Sequence, residues 1–180
     1  TAWAYLSPIL AENKGWASFI STPRGANHLK KMYDTFKDIL GLSADESHRA
    51  AAEAMKAMDH FNDGILRKHG RDILKKLEAE DGIGIVLLAR PYHNDPGLNH
   101  EILEEFQKLG YPVLTQGALP IDDEIIWKLF GEDVRLGLVK HPMDISDAWK
   151  NSYSENTSQK VWAAKYTARH PNLVALELSS

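Results

Sequence analysis

The chain has 180 residues, 43% of them hydrophobic and 26% charged, with a formal net charge of −4, the composition of an ordinary globular domain. Residues 1–80 carry 12 basic and 11 acidic side chains and residues 81–180 carry 9 and 14, so neither half offers the basic footprint of a nucleic-acid binder. There is no cysteine, which excludes disulfides, thiolate nucleophiles and any cysteine-ligated zinc or iron–sulfur site completed within these residues.

Residues 1–25 are apolar and aromatic, with Trp3, Tyr5, Leu6, Ile9, Leu10, Trp16, Phe19 and Ile20, but Pro8, Gly15, Pro23 and Gly25 interrupt any long element. Such a segment packs on the domain or docks a partner. From Ala26 to Leu40 the spacing is helical, with Leu29, Met32, Tyr33, Phe36, Ile39 and Leu40 on one face and Gly41 as the stop. Ser43 and Glu46 have capping-box spacing, and a long helix follows. Its apolar stripe runs through Ala51, Met55, Met58, Phe61 or Asn62, Ile65, Leu66, His69, Ile73 and Leu77. Met55 and Met58 read as core filler. Gly64 and Gly70 each cost about 1 kcal/mol against alanine, so a bend or break is expected near 63–70.

Asp81-Gly82 is a turn signal. The unbroken run Gly84-Ile85-Val86-Leu87-Leu88-Ala89 then predicts a strand over 83–89, buried on both faces as in a parallel sheet. It gives way at Arg90-Pro91 to a polar loop, Tyr92-His93-Asn94-Asp95. Asp95-Pro96 begins a helix whose buried face is Leu98, Ile102, Leu103, Phe106 and Leu109, closed by Gly110. Tyr111–Thr115 is a second strand, and Pro112 pushes it to a sheet edge or itself to the first position. Asp122-Asp123-Glu124 opens the next helix, either to complement its macrodipole or as a carboxylate cluster. Ile125, Ile126, Leu129 and Phe130 form its apolar side, with Gly131 at its end. Residues 132–150 read as irregular or weakly helical. A helix over 155–169 places Val161, Trp162, Ala164, Tyr166 and Ala168 inward, and His170-Pro171 stops it. Leu173–Leu178 is the third strand.

The expected fold is α/β: a three-layer, Rossmann-like parallel sheet in the order 2-1-3 with helices on both faces, residues 81–180, preceded by a mainly helical extension packed on it, residues 1–80. A first residue other than methionine, and a buried strand two residues before Ser180, read as an excised piece of a longer chain. In that order the chain direction reverses between strands one and three. Ligand groups collect outside the carboxyl ends of strands at such a switch point. Arg90, Tyr92, His93 and Asn94 are placed there with Ser179 and Ser180, and the loop is expected to leave His93 at least partly exposed in an open cleft. Arg90 would meet a carboxylate or phosphate, or else pair with Glu177 on the neighbouring strand. Ser154 and Asn156 open the last helix, where free N–H groups favour an anion or where the side chains simply cap. His93, Asn94, Asp95, Asn99 and His100, with His141, are the one plausible metal cluster; the rival reading is a hydrogen-bonded turn. No Rossmann or Walker glycine loop, Gly-x-Ser-x-Gly elbow or HExxH is present. No apolar run approaches membrane-spanning length and no signal peptide opens the chain. With no cysteine to form a disulfide, the expected compartment is the cytoplasm.

Three stretches carry a more specific resemblance: FNDGILRKHGRDILKKLE at 61–78, LLARPYHNDPGLNHEILEEFQKLGYPVL at 87–114, and VRLGLVKHPMDISDAWKNSYSENTSQKVWAAKYTARHPNLVALELSS at 134–180. Together they resemble the large activators of 2-hydroxyacyl-CoA dehydratases, also called CoA-substrate-specific enzyme activases. Residues 1–40 contribute little to it. The resemblance implies a parent that joins ATPase modules of the acetate and sugar kinase type to a dehydratase-like region. It implies a homodimer holding a [4Fe–4S] cluster that uses ATP and Mg²⁺ to push one electron onto the dehydratase. This sequence lacks the phosphate motifs and every cluster cysteine, so it corresponds to a dehydratase-like α/β piece without catalytic residues or cofactors of its own. In relatives the strand ending at Ser179-Ser180 runs on into a cysteine-containing segment. The implied role is a non-catalytic domain supporting an iron–sulfur site completed elsewhere, with the dehydratase and the rest of the parent chain as partners. The alternatives are a site for an acyl-CoA or other anionic small molecule at the switch point, and a docking module working through Trp3 and Trp16.

Overall fold

Gly84–Leu88 forms the central strand, β1, and all five residues are buried, as an apolar run without alternation requires. The computed structural model describes residues 23–152 and 154–178. The aromatic segment with Trp3 and Trp16 therefore lies outside the described residues, as do Tyr153, Ser179 and Ser180. The chain divides into two compact units, Thr1–Gly64 and Ile65–Ser180.

In the first unit, α1 (Pro23–Leu40) packs on α2 (Ala44–Asp59). The capping box is formed as its spacing predicts: Ser43 Oγ accepts from the Glu46 amide, and the Glu46 carboxylate accepts from the Ser43 amide at 2.9 Å. These bonds also hold the Glu46 carboxyl below the usual range. The predicted apolar stripes are largely exposed. Leu29 is buried, but Ile39 is 76% exposed, and Met58 is no core filler at 51%. The break expected near 63–70 is a π-helical stretch, His60–Leu66, and the division between units falls inside it.

The second unit begins with α3 (Arg67–Glu80). Gly70 here is a point of close approach: a Cβ on it would lie 1.8 Å from the Ala118 carbonyl oxygen. Glycine lets the helix touch the turn Gln116–Ala118 that follows β2 (Val113–Thr115). His69, predicted inside, is exposed.

β1 pairs in parallel with β2 on one side and β3 (Leu173–Glu177) on the other, giving the expected order β2-β1-β3. Pro112 sits just ahead of edge strand β2, a position that tolerates a missing donor, and its carbonyl accepts from Ile85 N–H at 2.9 Å. On one face Val86, Leu88 and Leu114 pack against α3, α6 (Asp123–Arg135) and α7 (Glu155–Arg169). Phe130 and Trp162 stack at 5.9 Å in this core, and the Trp162 indole donates to the Pro142 carbonyl at 3.1 Å. On the other face Leu87 and Ala89 meet Leu103 of α5 (Ile102–Lys108).

Three helix readings are corrected. The helix predicted from Pro96 is broken in two, α4 (Pro96–Asn99) and α5, because His100 and Glu101 take left-handed φ angles of 54° and 57°. The break takes Leu98 and Leu109 off the buried face. Gly131 does not end α6, because its φ is ordinary; the helix runs on to Arg135. Gly137, at φ 72°, closes it with bonds from Gly137 N–H to Val134 O and Leu138 N–H to Asp133 O. In α7 the buried face is Trp162, Ala163, Tyr166 and Thr167, and Ala168 is exposed. Asp122, at the start of α6, makes no side-chain cap bond and instead pairs with Arg71 at 3.1 Å.

At the amino end of the sheet His170 is buried and stacks parallel on Tyr166. Its Nδ1 accepts from Asn172 N–H at 3.3 Å, and its Nε2 lies 3.5 Å from Glu78 Oε1. Burial depresses its pKa, against the opposing pull of Glu78. Burial also raises the Tyr166 phenol well above its ordinary value, and Glu78 and Asp122 add to that.

Candidate functional site at the carboxyl edge

β1 and β3 end side by side: Leu88 is level with Glu177, and Leu178 N–H donates to the Leu88 carbonyl at 3.2 Å. The loop leaving β1 therefore starts at the switch point, as strand order requires. Its first turn is a 3₁₀ helix, Pro91–Asn94.

This loop is built around His93. The residue is 7% exposed, which corrects the expectation of a cleft-facing imidazole. Nδ1 accepts from the Arg90 amide at 3.3 Å, and the His93 amide donates to the Arg90 carbonyl at 3.0 Å. Accepting at Nδ1 puts the proton of the neutral ring on Nε2. The buried Asn99 donates from Nδ2 to the His93 carbonyl at 2.9 Å. Asp95 caps α4 by accepting from Gly97 N–H at 2.9 Å, as read from Asp95-Pro96. The Tyr92 ring leans on His93, with centroids 4.5 Å apart, and is half exposed. Arg90 and Asn94 are exposed.

The suggested Arg90–Glu177 pair does not form, because Glu177 takes Lys160 of α7 at 2.6 Å. The metal reading is also not met. Among the described residues no three His, Asp or Glu side chains converge to hold an ion. His141 instead accepts from Met143 N–H at 3.2 Å and stands edge-on to Trp127.

The second predicted group opens α7. Ser154 is its N-cap, and its Oγ accepts from the Thr157 amide at 3.5 Å and the Thr157 hydroxyl at 3.1 Å. Capping is thus present, and the hydroxyls continue beyond it: Ser152 and Ser158 Oγ are 2.7 Å apart. Asn156 is half-buried, and its Oδ1 is buried with no protein donor. The Lys160–Glu177 pair fixes the start of this helix beside the carboxyl end of β3.

One residue here takes a role other than the one the sequence reading gives it, and one escapes that reading. Asn99, predicted as a possible metal ligand, is the internal strut of the loop. Gln116 directly follows β2, is 9% exposed, and donates from Nε2 to Gln159 Oε1 at 3.2 Å. Gln116 has the same sequence signal as Arg90: it is the first polar residue after a parallel strand.

Residues 4–119 match the family model described as the CoA enzyme activase uncharacterised domain. No curated protein and no solved structure matches the chain.

Proposed function

We propose, from the premise that this chain belongs to the CoA enzyme activase uncharacterised-domain family, that it is a non-catalytic domain of an ATP-dependent activator of 2-hydroxyacyl-CoA dehydratase. In this reading it supports an iron–sulfur site completed by residues outside these 180, with the dehydratase and the remainder of a longer cytoplasmic chain as partners. The observation that carries the reading is the family match over residues 4–119, and the ledge at the switch point agrees with it. β1 and β3 end level with one another, and His93 and Asn99 lock the loop beside them.

The chain's own residues do not fit a cluster. It has no cysteine, and its described residues gather no metal-holding group. A [4Fe–4S] cluster would supply one-electron chemistry in the parent; this domain contributes scaffold and surface. His93 orients the loop backbone through Arg90, and Arg90 and Tyr92 present a cation and an aromatic ring at its rim. Among the described residues no helix is long and apolar enough to cross a membrane.

The test has two arms. The 180-residue chain is expected to hydrolyse no ATP, and robust turnover would overturn the reading. In the activator that contains it, Arg90→Glu is expected to slow ATP-dependent reduction of the dehydratase without changing ATP hydrolysis.

The exposed Arg90 guanidinium, left by Glu177 to Lys160, also favours a second reading: an acyl-CoA or other anionic small molecule bound at the same edge. Calorimetric titration with CoA thioesters measures it, and the absence of both heat and thermal shift removes it.

A further inference from the structure

The surroundings of β3 contradict its composition. Leu173-Val174-Ala175-Leu176 is as apolar as β1, which suits a strand buried on both faces. Yet Val174 is 54% exposed and Ala175 is exposed, while the β1 residues level with them, Ile85 and Val86, are buried.

The backbone shows what is missing. Gly84 N–H donates to the Asn172 carbonyl and Leu178 N–H to the Leu88 carbonyl, so the even-numbered peptide groups along β3 turn toward β1. Alternate residues of a strand turn these groups to opposite sides, so those of Leu173, Ala175 and Glu177 turn outward. Leu173 N–H is taken by the His170 carbonyl at 3.2 Å. Among the described residues the Ala175 and Glu177 amides have no acceptor, and β3 has no second neighbour.

Natural sheets guard such an edge with proline, lysine, a bulge or brevity. At the opposite edge, β2 is three residues long and follows Pro112. β3 has none of these devices: it is five residues in unbroken register with β1, and its one charge, Glu177, is drawn to Lys160 of α7. A row of alternating backbone donors and acceptors is met along its length by another strand. The row runs from Leu173 C=O through both groups of Ala175 to both groups of Glu177. The evenly spaced bonds of a parallel strand meet each in turn and do without the occupied Leu173 N–H. A second copy paired antiparallel about Ala175 would instead set the Glu177 carbonyl against that occupied N–H.

We propose that the free edge of β3 is a docking site for a further β-strand, apolar and parallel to it, supplied from outside these 180 residues. The inference rests on the reading of this chain as one domain of a longer activator, and it names the edge by which the remainder joins.

Amide hydrogen exchange tests it. In the 180-residue chain Val174 and Leu176 are expected to exchange slowly, and Ala175 and Glu177 about 100-fold faster or more. In the activator that contains this chain, Ala175 and Glu177 should slow by a similar factor. Ala175→Pro deletes an outward N–H and none bonded to β1, so the 180-residue variant should keep the protection of β1. In the activator the same variant should return Glu177 to fast exchange. Should the variant not fold, the comparison of the two parent chains still decides. Fast exchange at Ala175 and Glu177 in both chains overturns the proposal, as does slow exchange at both in the monomeric 180-residue chain. Protection that arises only as the 180-residue chain dimerises overturns it in favour of a second copy, and protection of Glu177 that survives Ala175→Pro in the activator overturns it as well. Each of these outcomes is read without ATP or the dehydratase, so failure here is distinct from failure of the activator reading.

Discussion

The two units obey the same sequence rules and bury very different amounts of what those rules promise. In the first, α1 and α2 have well-marked apolar stripes, yet α2 has no buried residue, and Phe36 and Phe61 are about half exposed. In the second, β1 is buried along its whole length, and Phe130, Trp162 and Tyr166 are enclosed. Periodicity shows which face of an element is apolar. What covers that face is a property of the rest of the molecule, and a helical hairpin offers too little surface to do it alone.

Truncation would test this contrast most severely. Phe130→Ala is expected to cost about 3–5 kcal/mol in urea unfolding, because its ring is 1% exposed and stacked on Trp162. Phe36→Ala, at 44% exposure, should change stability by no more than about 0.5 kcal/mol. A comparable loss at Phe36 would mean that the hairpin buries this ring in solution, and the contrast between the units would collapse.

Glycines sharpen it next. Gly70→Ala should destabilise by about 1–3 kcal/mol, since the new methyl meets a backbone oxygen that cannot swing away. Gly64→Ala meets only the His60 ring, at 3.0 Å, and is expected to be neutral or to gain up to about 1 kcal/mol from helix propensity. Melting curves of the two variants should move apart; equal losses would show the π-helical stretch to be as tightly packed as α3.

Within the second unit, His93→Ala should cost about 1–3 kcal/mol, because it leaves the Arg90 amide without its acceptor. His93→Asn, which can return an oxygen near Nδ1, should recover part of that. If His93→Ala melts like the parent chain, the loop is held by Asn99 and the backbone alone.

The smallest effect is set by pH. His170 is buried, and its pKa is depressed by burial. The unfolded chain therefore takes up a proton at its ordinary pKa of about 6.5, while the folded chain still refuses it. Stability is complete above that value and falls as pH drops below it, by at most about 1.4 kcal/mol per pH unit, levelling once the folded ring is also protonated. Comparing melts of the parent chain and His170→Gln between pH 7 and 5 isolates this slope; parallel curves would show that His170 titrates normally.

Much of the sheet was legible from residues alone. The uninterrupted Ile-Val-Leu run placed β1 at the centre, and Pro112 placed β2 at an edge. The capping box at Ser43 and the Asp95 cap were legible for the same reason, since each is a contact between residues two or three apart. The site was legible as a location and not as an arrangement. Strand order fixed that Arg90, Tyr92 and His93 leave β1 at the switch point. It could not say that His93 turns inward, because strand order does not fix the turn in which Nδ1 meets the Arg90 amide and Asn99 braces the His93 carbonyl. It could not join Gln116 to Gln159, which are 43 residues apart.

The division follows from the range of the forces. Local hydrogen bonds, chain stereochemistry and hydrophobic period act within one or two turns, so the sequence by itself determined most element types, the caps at Ser43 and Asp95, and the absence of thiolate chemistry; the sheet order was legible because Pro112 and the unbroken apolar run mark edge and centre. Side-chain burial, the contact that makes Gly70 obligatory and the loss of Glu177 to Lys160 are settled by groups distant in the chain and adjacent in space. Only the tertiary structure brings those groups together, and so only the tertiary structure decided them.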